Sequence, residues 1–170
     1  MLSEIPEIQT ERLLLRGPQS GDFLVYRDFF ADAAASEFYG GPLEADRAWR
    51  VLATDLGHWR LRGYGRWSVV ERASGTMVGG CGLWWPEGYP RSELTWWIVP
   101  AARRHGYARE ASLAAIRFGY EVLGWNLVET HMNDENLAAR ALVERLGGTV
   151  LLRERFSDGL DRDVFALPRP

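Results

Sequence analysis

The sequence contains no lysine; all 20 of its basic residues are arginine. Any phosphate held by a side chain must therefore be held by Arg, whose planar fork suits phosphate oxygens. A basic excess is missing too. With 23 acidic residues the net charge is -3, which argues against a protein that grips nucleic acid non-specifically. Cysteine is nearly absent. Cys81 stands alone, so no internal disulfide and no cysteine metal cluster can form. His58, His105 and His131 are widely spaced, and no metal site is expected. No apolar run is long enough to span a bilayer. The opening Met1-Leu2-Ser3-Glu4-Ile5-Pro6-Glu7 carries acid where a signal peptide needs a basic start and an apolar core. These absences point to a soluble cytoplasmic protein without membrane or nucleic-acid partners.

What is present fits a packed domain. Hydrophobic residues make up 46% and charged residues 25% of 170 residues, values that suit one globular domain spanning 1–170. No repeat, low-complexity tract or linker divides it. Thr10 to Arg16 reads as a strand, broken by Gly17-Pro18. Ser20 stands as an N-cap before a helix from about Gly21 to Ala33, with Phe23, Tyr26, Phe29 and Phe30 at helical spacing. After Gly40-Gly41-Pro42, a second helix is expected from Leu43 to Leu61, ended by Gly63 and Gly65. Three strands follow, at Arg66 to Glu71, Met77 to Trp85 and Ser92 to Val99, joined by tight turns. An Ala-rich helix runs from about Gly106 to Leu123, then a strand at Leu127 to Met132. A helix at Asn136 to Leu146 is closed by Gly147-Gly148. A hairpin, Thr149 to Phe156 and Arg162 to Leu167, ends the chain. This order predicts a mixed α/β fold. One mostly antiparallel sheet of about seven strands would have helices on both faces, with a parallel crossover from Ile98 through the Gly106 helix to Leu127. Trp84-Trp85 and Trp96-Trp97 should each send one ring to each sheet face.

The segment Arg103-Arg104-His105-Gly106-Tyr107-Ala108 lies directly between a strand and a helix. Unpartnered amides and the helix dipole make such a place an anion site. Gly106 and Ala108 keep the surface small enough for a diphosphate to approach the backbone. No Gly-Lys-Ser/Thr follows, so it is not a Walker loop.

Several segments, in order, resemble the GNAT superfamily of acetyltransferases. Arg103, Gly106 and Ala108 match its signature of Arg or Gln, two residues, Gly, one residue, then Gly or Ala. Glu93-Leu94-Thr95-Trp96-Trp97-Ile98-Val99-Pro100 looks like its fourth strand, and Asn136 to Gly147 like its later helix. Thr10-Glu11-Arg12-Leu13-Leu14-Leu15-Arg16, Gly79-Gly80-Cys81-Gly82-Leu83 and Asp163-Val164-Phe165-Ala166-Leu167 resemble the branch that includes ribosomal-protein N-terminal acetyltransferases. The resemblance implies acetyl-CoA as cosubstrate and an amine acceptor, either a peptide N-terminus or a small molecule. It implies that the backbone of Ile98 and Val99 pairs with the pantetheine arm. The amides of Arg104, His105, Gly106, Tyr107 and Ala108, after Arg103, would hold the pyrophosphate. Asn136 would bond the cofactor near its pantetheine arm. Arg140, one turn further, either approaches a phosphate or is a solvated surface Arg. Relatives include dimers, which leaves a homodimer open.

The sequence departs from that pattern at two positions. Val143 stands where many members have a proton-donating Tyr, and Ala139 where the branch has a Ser. A non-catalytic acyl-CoA-binding module is therefore the alternative function, and a nucleotide-binding protein a third. For catalysis, Glu93 is the leading candidate base, because it starts the strand expected to border the cofactor. Glu71, at the end of a neighbouring strand, is the second. His131 ends a strand near the expected acyl site. Each also has a purely structural reading. Cys81, among apolar strand neighbours, reads as a buried small residue. That favours direct transfer over an acyl-cysteine intermediate.

Overall fold

A computed structural model describes residues 4–170. Met1, Leu2 and Ser3 of the acidic opening lie outside the described residues. The elements are β1 (Ile8–Gln9), β2 (Leu13–Arg16), α1 (Phe23–Ala31), α2 (Ala33–Ser36), α3 (Ala45–Arg62), β3 (Arg66–Glu71), β4 (Thr76–Trp84) and β5 (Glu93–Ile98). They continue with α4 (Tyr107–Glu121), β6 (Val128–His131), α5 (Leu137–Arg145), β7 (Thr149–Arg155) and β8 (Asp161–Leu167). The eight strands form one sheet in the order β1-β2-β3-β4-β5-β6-β8-β7. Every neighbouring pair is antiparallel except β5 and β6, the expected crossover through α4.

Two cores cover the two faces, as alternation along the strands requires. Leu94, Trp96 and Ile98 of β5 join Trp67, Val69, Cys81 and Leu83 against α4 and α5. Trp97 points the other way, into Tyr26, Phe29, Phe30, Leu52, Val70 and Met77, beneath α1 and α3. The indole of Trp97 lies across β4. A Cβ at Gly80 would sit 2.5 Å from its Nε1, so glycine there is a packing requirement.

Three local differences from the sequence reading have physical causes. β1 is two residues long, too short to show a period. The first helix begins later than Ser20 suggests, after a 3-10 turn at Ser20–Asp22. Asp22 is buried, receives Arg16 through two bonds of 2.9 and 2.7 Å, and accepts Ser68 Oγ at 2.6 Å. The same helix stops at Ala31 because Asp32 is extended and caps α2, accepting the Ala35 amide at 3.0 Å. Gly63 ends α3 in the left-handed region at φ 76°, as a Gly after a helix usually does.

Candidate active site

β5 and β6 are matched at a single pair, Glu93 with Glu129. Beyond it the strands part, and Thr130 Oγ1 spans the first step by donating to Leu94 O at 2.9 Å. The amide of Val99 donates to Val78 O at 2.9 Å, toward β4. Antiparallel strands alternate the direction of their backbone groups. Residues 93, 95 and 97 therefore also face β4, while Leu94, Trp96 and Ile98 face the gap. This corrects the expectation for Val99: its amide is taken by Val78, and its carbonyl accepts the Ala102 amide at 3.0 Å. Ile98 does turn its amide into the gap, although its carbonyl accepts Arg103 Nε at 3.1 Å. Trp96, which the sequence reading did not select, presents both groups. The phase of a ladder is visible only once its partner strand is placed.

At the end of the same strand, the loop into α4 is held in an unusual shape. Arg104 has φ 64° and Gly106 φ 81°. Arg104 is the only non-glycine residue with positive φ among the described residues. Such strain persists only where neighbours enforce it. They do so here from the segment between β1 and β2 and from the end of β3. Arg12 donates to His105 O at 2.7 Å and to Glu110 Oε2 at 2.8 Å, and lies 4.8 Å over the Tyr107 ring. Thr10 Oγ1 donates to Glu110 Oε1 at 2.6 Å. The Tyr107 hydroxyl donates to Glu71. No side chain caps the first turn of α4, so its amides are open to an anion. Arg103 is not aimed at that site. Its guanidinium bonds Ile98 O and, at 3.2 Å, Ala35 O. The Arg104 guanidinium makes no hydrogen bond or ion pair among the described residues.

The gap opens into a cleft of about 680 Å³. Asn136, Ala139 and Trp96 line it together with Glu93, Thr95 and His131, so it passes through the sheet. Asn136 caps α5 with its Oδ1, accepting the Ala139 amide at 3.1 Å, which leaves its NH2 to donate outward. Glu93 is buried, 6% exposed. His131 Nδ1 lies 2.7 Å from Glu93 Oε2, close but outside good hydrogen-bond alignment. The imidazole packs 4.3 Å from the Phe156 ring, and its Nε2 has no partner among the described residues. Behind Glu93, Arg91 reaches Glu93 at 3.7 Å, Glu129 at 3.7 Å and Glu154 at 2.6 Å. Burial, with Glu93 and Glu154 nearby, pushes the Glu129 carboxyl above its ordinary value against the pull of Arg91.

Not every expected site residue reaches this cleft. Glu71 lies at the end of the sheet nearest the loop into α4, held by Tyr107 and, at 2.5 Å, by Ser74 Oγ. Arg140 is bonded to Asp163 at 3.1 Å and lies 3.4 Å from Glu144. Val143 is fully buried in the core.

Residues 12–149 match the acetyltransferase (GNAT) domain family. The chain belongs to the GNAT acetyltransferases. A crystal structure of an acetyltransferase from Agrobacterium tumefaciens shares 31% identity, with a TM-score of 0.89 over 99% of this chain and 97% of that one. A ribosomal-protein-S5-alanine acetyltransferase from Vibrio fischeri shares the fold at 11% identity, with a TM-score of 0.74 over 95% of each chain. The uncharacterised N-acetyltransferase YoaA of Bacillus subtilis is 22% identical over 97% of this chain and 98% of its own.

This acetyltransferase is therefore an acyltransferase enzyme, and acetyl transfer is the general reaction of its family. None of its described helices is long and apolar enough to cross a membrane, and no group of metal-ligating side chains occurs among the described residues. Cys81 contributes no nucleophile. Burial pushes its thiol up to about 12, against a weaker opposing contact from Ser112, so it stays protonated at neutral pH. A thiol reagent should find no reactive cysteine in the native enzyme and one after denaturation. Rapid native labelling would contradict this burial.

Proposed function

We propose that this acetyltransferase uses acetyl-CoA as cosubstrate and transfers the acetyl group directly to a primary amine, on a peptide N-terminus or a small molecule. Residues 1–170 are read as one such domain. The observation that carries this reading is the Glu93–His131 pair in the cleft beneath the unpaired edge of β5. When bound, acetyl-CoA supplies an acyl group already activated as a thioester. The chain supplies the rest. The gap-facing backbone of Trp96 and Ile98 offers strand-like bonds to an extended amide arm. The loop amides from Arg104 to Ala108 and the start of α4 fit a diphosphate. Asn136 donates from the opposite wall.

The attacking amine must lose a proton. His131 Nε2 takes it, and the Glu93 carboxylate, 2.7 Å from Nδ1, stands beside the imidazolium that forms. Sequence alone makes Glu93 the leading base; the proton is assigned to His131 instead, because Glu93 is the more buried of the two and His131 Nε2 is without a partner among the described residues. Ala139 offers no proton to the departing thiolate. With a thiol pKa of about 8.5, that leaving group can take its proton from water.

Two measurements test the reading. Acetyl-CoA at 100 times its Kd should stabilise the fold by about 2.7 kcal/mol, raising the melting temperature. Amines presented with acetyl-CoA should release free CoA thiol. An unchanged melting temperature at saturating cofactor, with no thiol released, would remove the proposal.

A further inference from the structure

The acceptor side of the cleft contains a second built feature that amine acetylation by itself does not need. Arg66, Trp84 and Glu93 stand on one sheet face, on β3, β4 and β5; Trp84 is the cross-strand partner of Glu93. Arg66 pairs with Gly82, two residues before Trp84. Its guanidinium lies 4.2 Å over the Trp84 ring. The same ring stacks 4.4 Å from His58 at 19°. His58 is itself locked at both ends: Nε2 accepts the Trp85 amide at 3.0 Å, and Nδ1 bonds Tyr64 O at 2.7 Å. Behind Arg66, Asp55 is fully buried. Its Oδ1 receives Arg66 Nε at 2.9 Å and lies 2.6 Å from Nη2, while Oδ2 accepts the Tyr26 hydroxyl at 2.8 Å.

A buried ion pair adds little net stability compared with apolar packing. Its effect here is orientation. Asp55 occupies the Nε side of the guanidinium and Trp84 one of its flat faces. The Nη1 end has no partner among the described residues, and Arg66 lines the cleft. That end has the planar geometry that pairs with a carboxylate through two parallel bonds. Trp84 and Glu93 are on adjacent strands, which lie about 4.8 Å apart. An anion on Arg66 would thus stand close to an amine at the Glu93–His131 pair, near enough for one short molecule to reach both. Phe38, Tyr39 and Phe156 add apolar wall around that space.

We propose that Arg66 binds a carboxylate of the acceptor, so that the amine acetylated belongs to a short amino-carboxylate with an apolar body, such as an amino acid. This rests on the amine-acetylation reading and narrows its acceptor.

The test compares L-phenylalanine and L-leucine with their C-terminal amides, following CoA thiol release from acetyl-CoA. The amides have the more neutral amines, so intrinsic reactivity favours them. The enzyme should instead prefer the free acids by roughly tenfold or more in kcat/KM. In the double variant Asp55→Asn/Arg66→Gln, which leaves no orphaned buried charge, the ratio of acid to amide should fall toward that of intrinsic reactivity. A measurement on the unaltered enzyme covers the case in which the double variant does not fold: 3-phenylpropionate should compete with the acceptor, and its amide should not. Equal or better use of the amides, faster turnover of longer peptides, or no competition by 3-phenylpropionate would overturn the assignment while leaving amine acetylation standing. Absence of thiol release with every amine would instead overturn the underlying reading, and this one with it.

Discussion

His131→Gln is expected to lower kcat/KM for amine acetylation by roughly two to four orders of magnitude at neutral pH, with acetyl-CoA affinity unchanged. Gln keeps a donor near Glu93 and removes the group that takes the proton. The deficit should shrink as pH rises, because an α-amine with a pKa of about 7.7 to 8 then becomes neutral without help. Glu93→Gln keeps the shape of the buried carboxyl and removes the charge beside Nδ1. It should reduce kcat/KM in the same direction, with its effect on kcat rather than KM, since Glu93 acts through the imidazole. Arg91 would still have Glu129 and Glu154, so the fold should survive. Steady-state rates across pH check both variants. A loss of only about threefold, equal at every pH, would mean that no side chain takes the proton. That outcome would suit an amine acceptor that is already largely neutral.

Gly106→Val should abolish the stabilisation by acetyl-CoA and also weaken the free protein. The sequence alone suggests that the fold would be left largely intact. The backbone says otherwise: φ is 81° at Gly106, where a side chain costs about 1–2 kcal/mol and a β-branched one is a genuine outlier. Crowding inside the protein is a smaller matter. The nearest atom to an added Cβ is the flexible end of Arg12, at 3.3 Å. Gly106→Asn separates the two effects, because Asn tolerates this backbone region. It should melt close to the unaltered protein yet still lose the acetyl-CoA shift, since its side chain stands where a diphosphate must approach the loop. Thermal melts with and without cofactor check this. A Gly106→Asn protein with a full cofactor shift would move the diphosphate away from the loop.

Much of this molecule is determined by local sequence. Arg66–Glu71 is found at the predicted boundaries, and α3, α4, α5 and the terminal hairpin within a few residues, because apolar period and glycine stops act over short distances. The motif from Arg103 to Ala108 marks its strand-to-helix junction for the same reason. The opposite facing of Trp96 and Trp97 follows from strand alternation alone.

Other features depend on which strands meet and in what register. Only the single matched pair between β5 and β6 reveals where the sheet opens, and only the bond from Val99 to Val78 shows that Trp96 and Ile98, not Val99, face the opening. Thr10 and Arg12 were legible as a resemblance, but their task, bracing a strained loop nearly a hundred residues away, exists only in the fold. Glu93, Glu71 and His131 are equivalent as polar residues at strand ends. Tertiary structure sets the first and third side by side in one cleft and carries Glu71 to the other end of the sheet. The same holds for Asp55, Arg66 and Trp84, which come from a helix and two strands with no common spacing. Sequence periodicity records which face a side chain takes; the distance between two side chains on different elements is decided by packing, and catalysis and recognition depend on that distance.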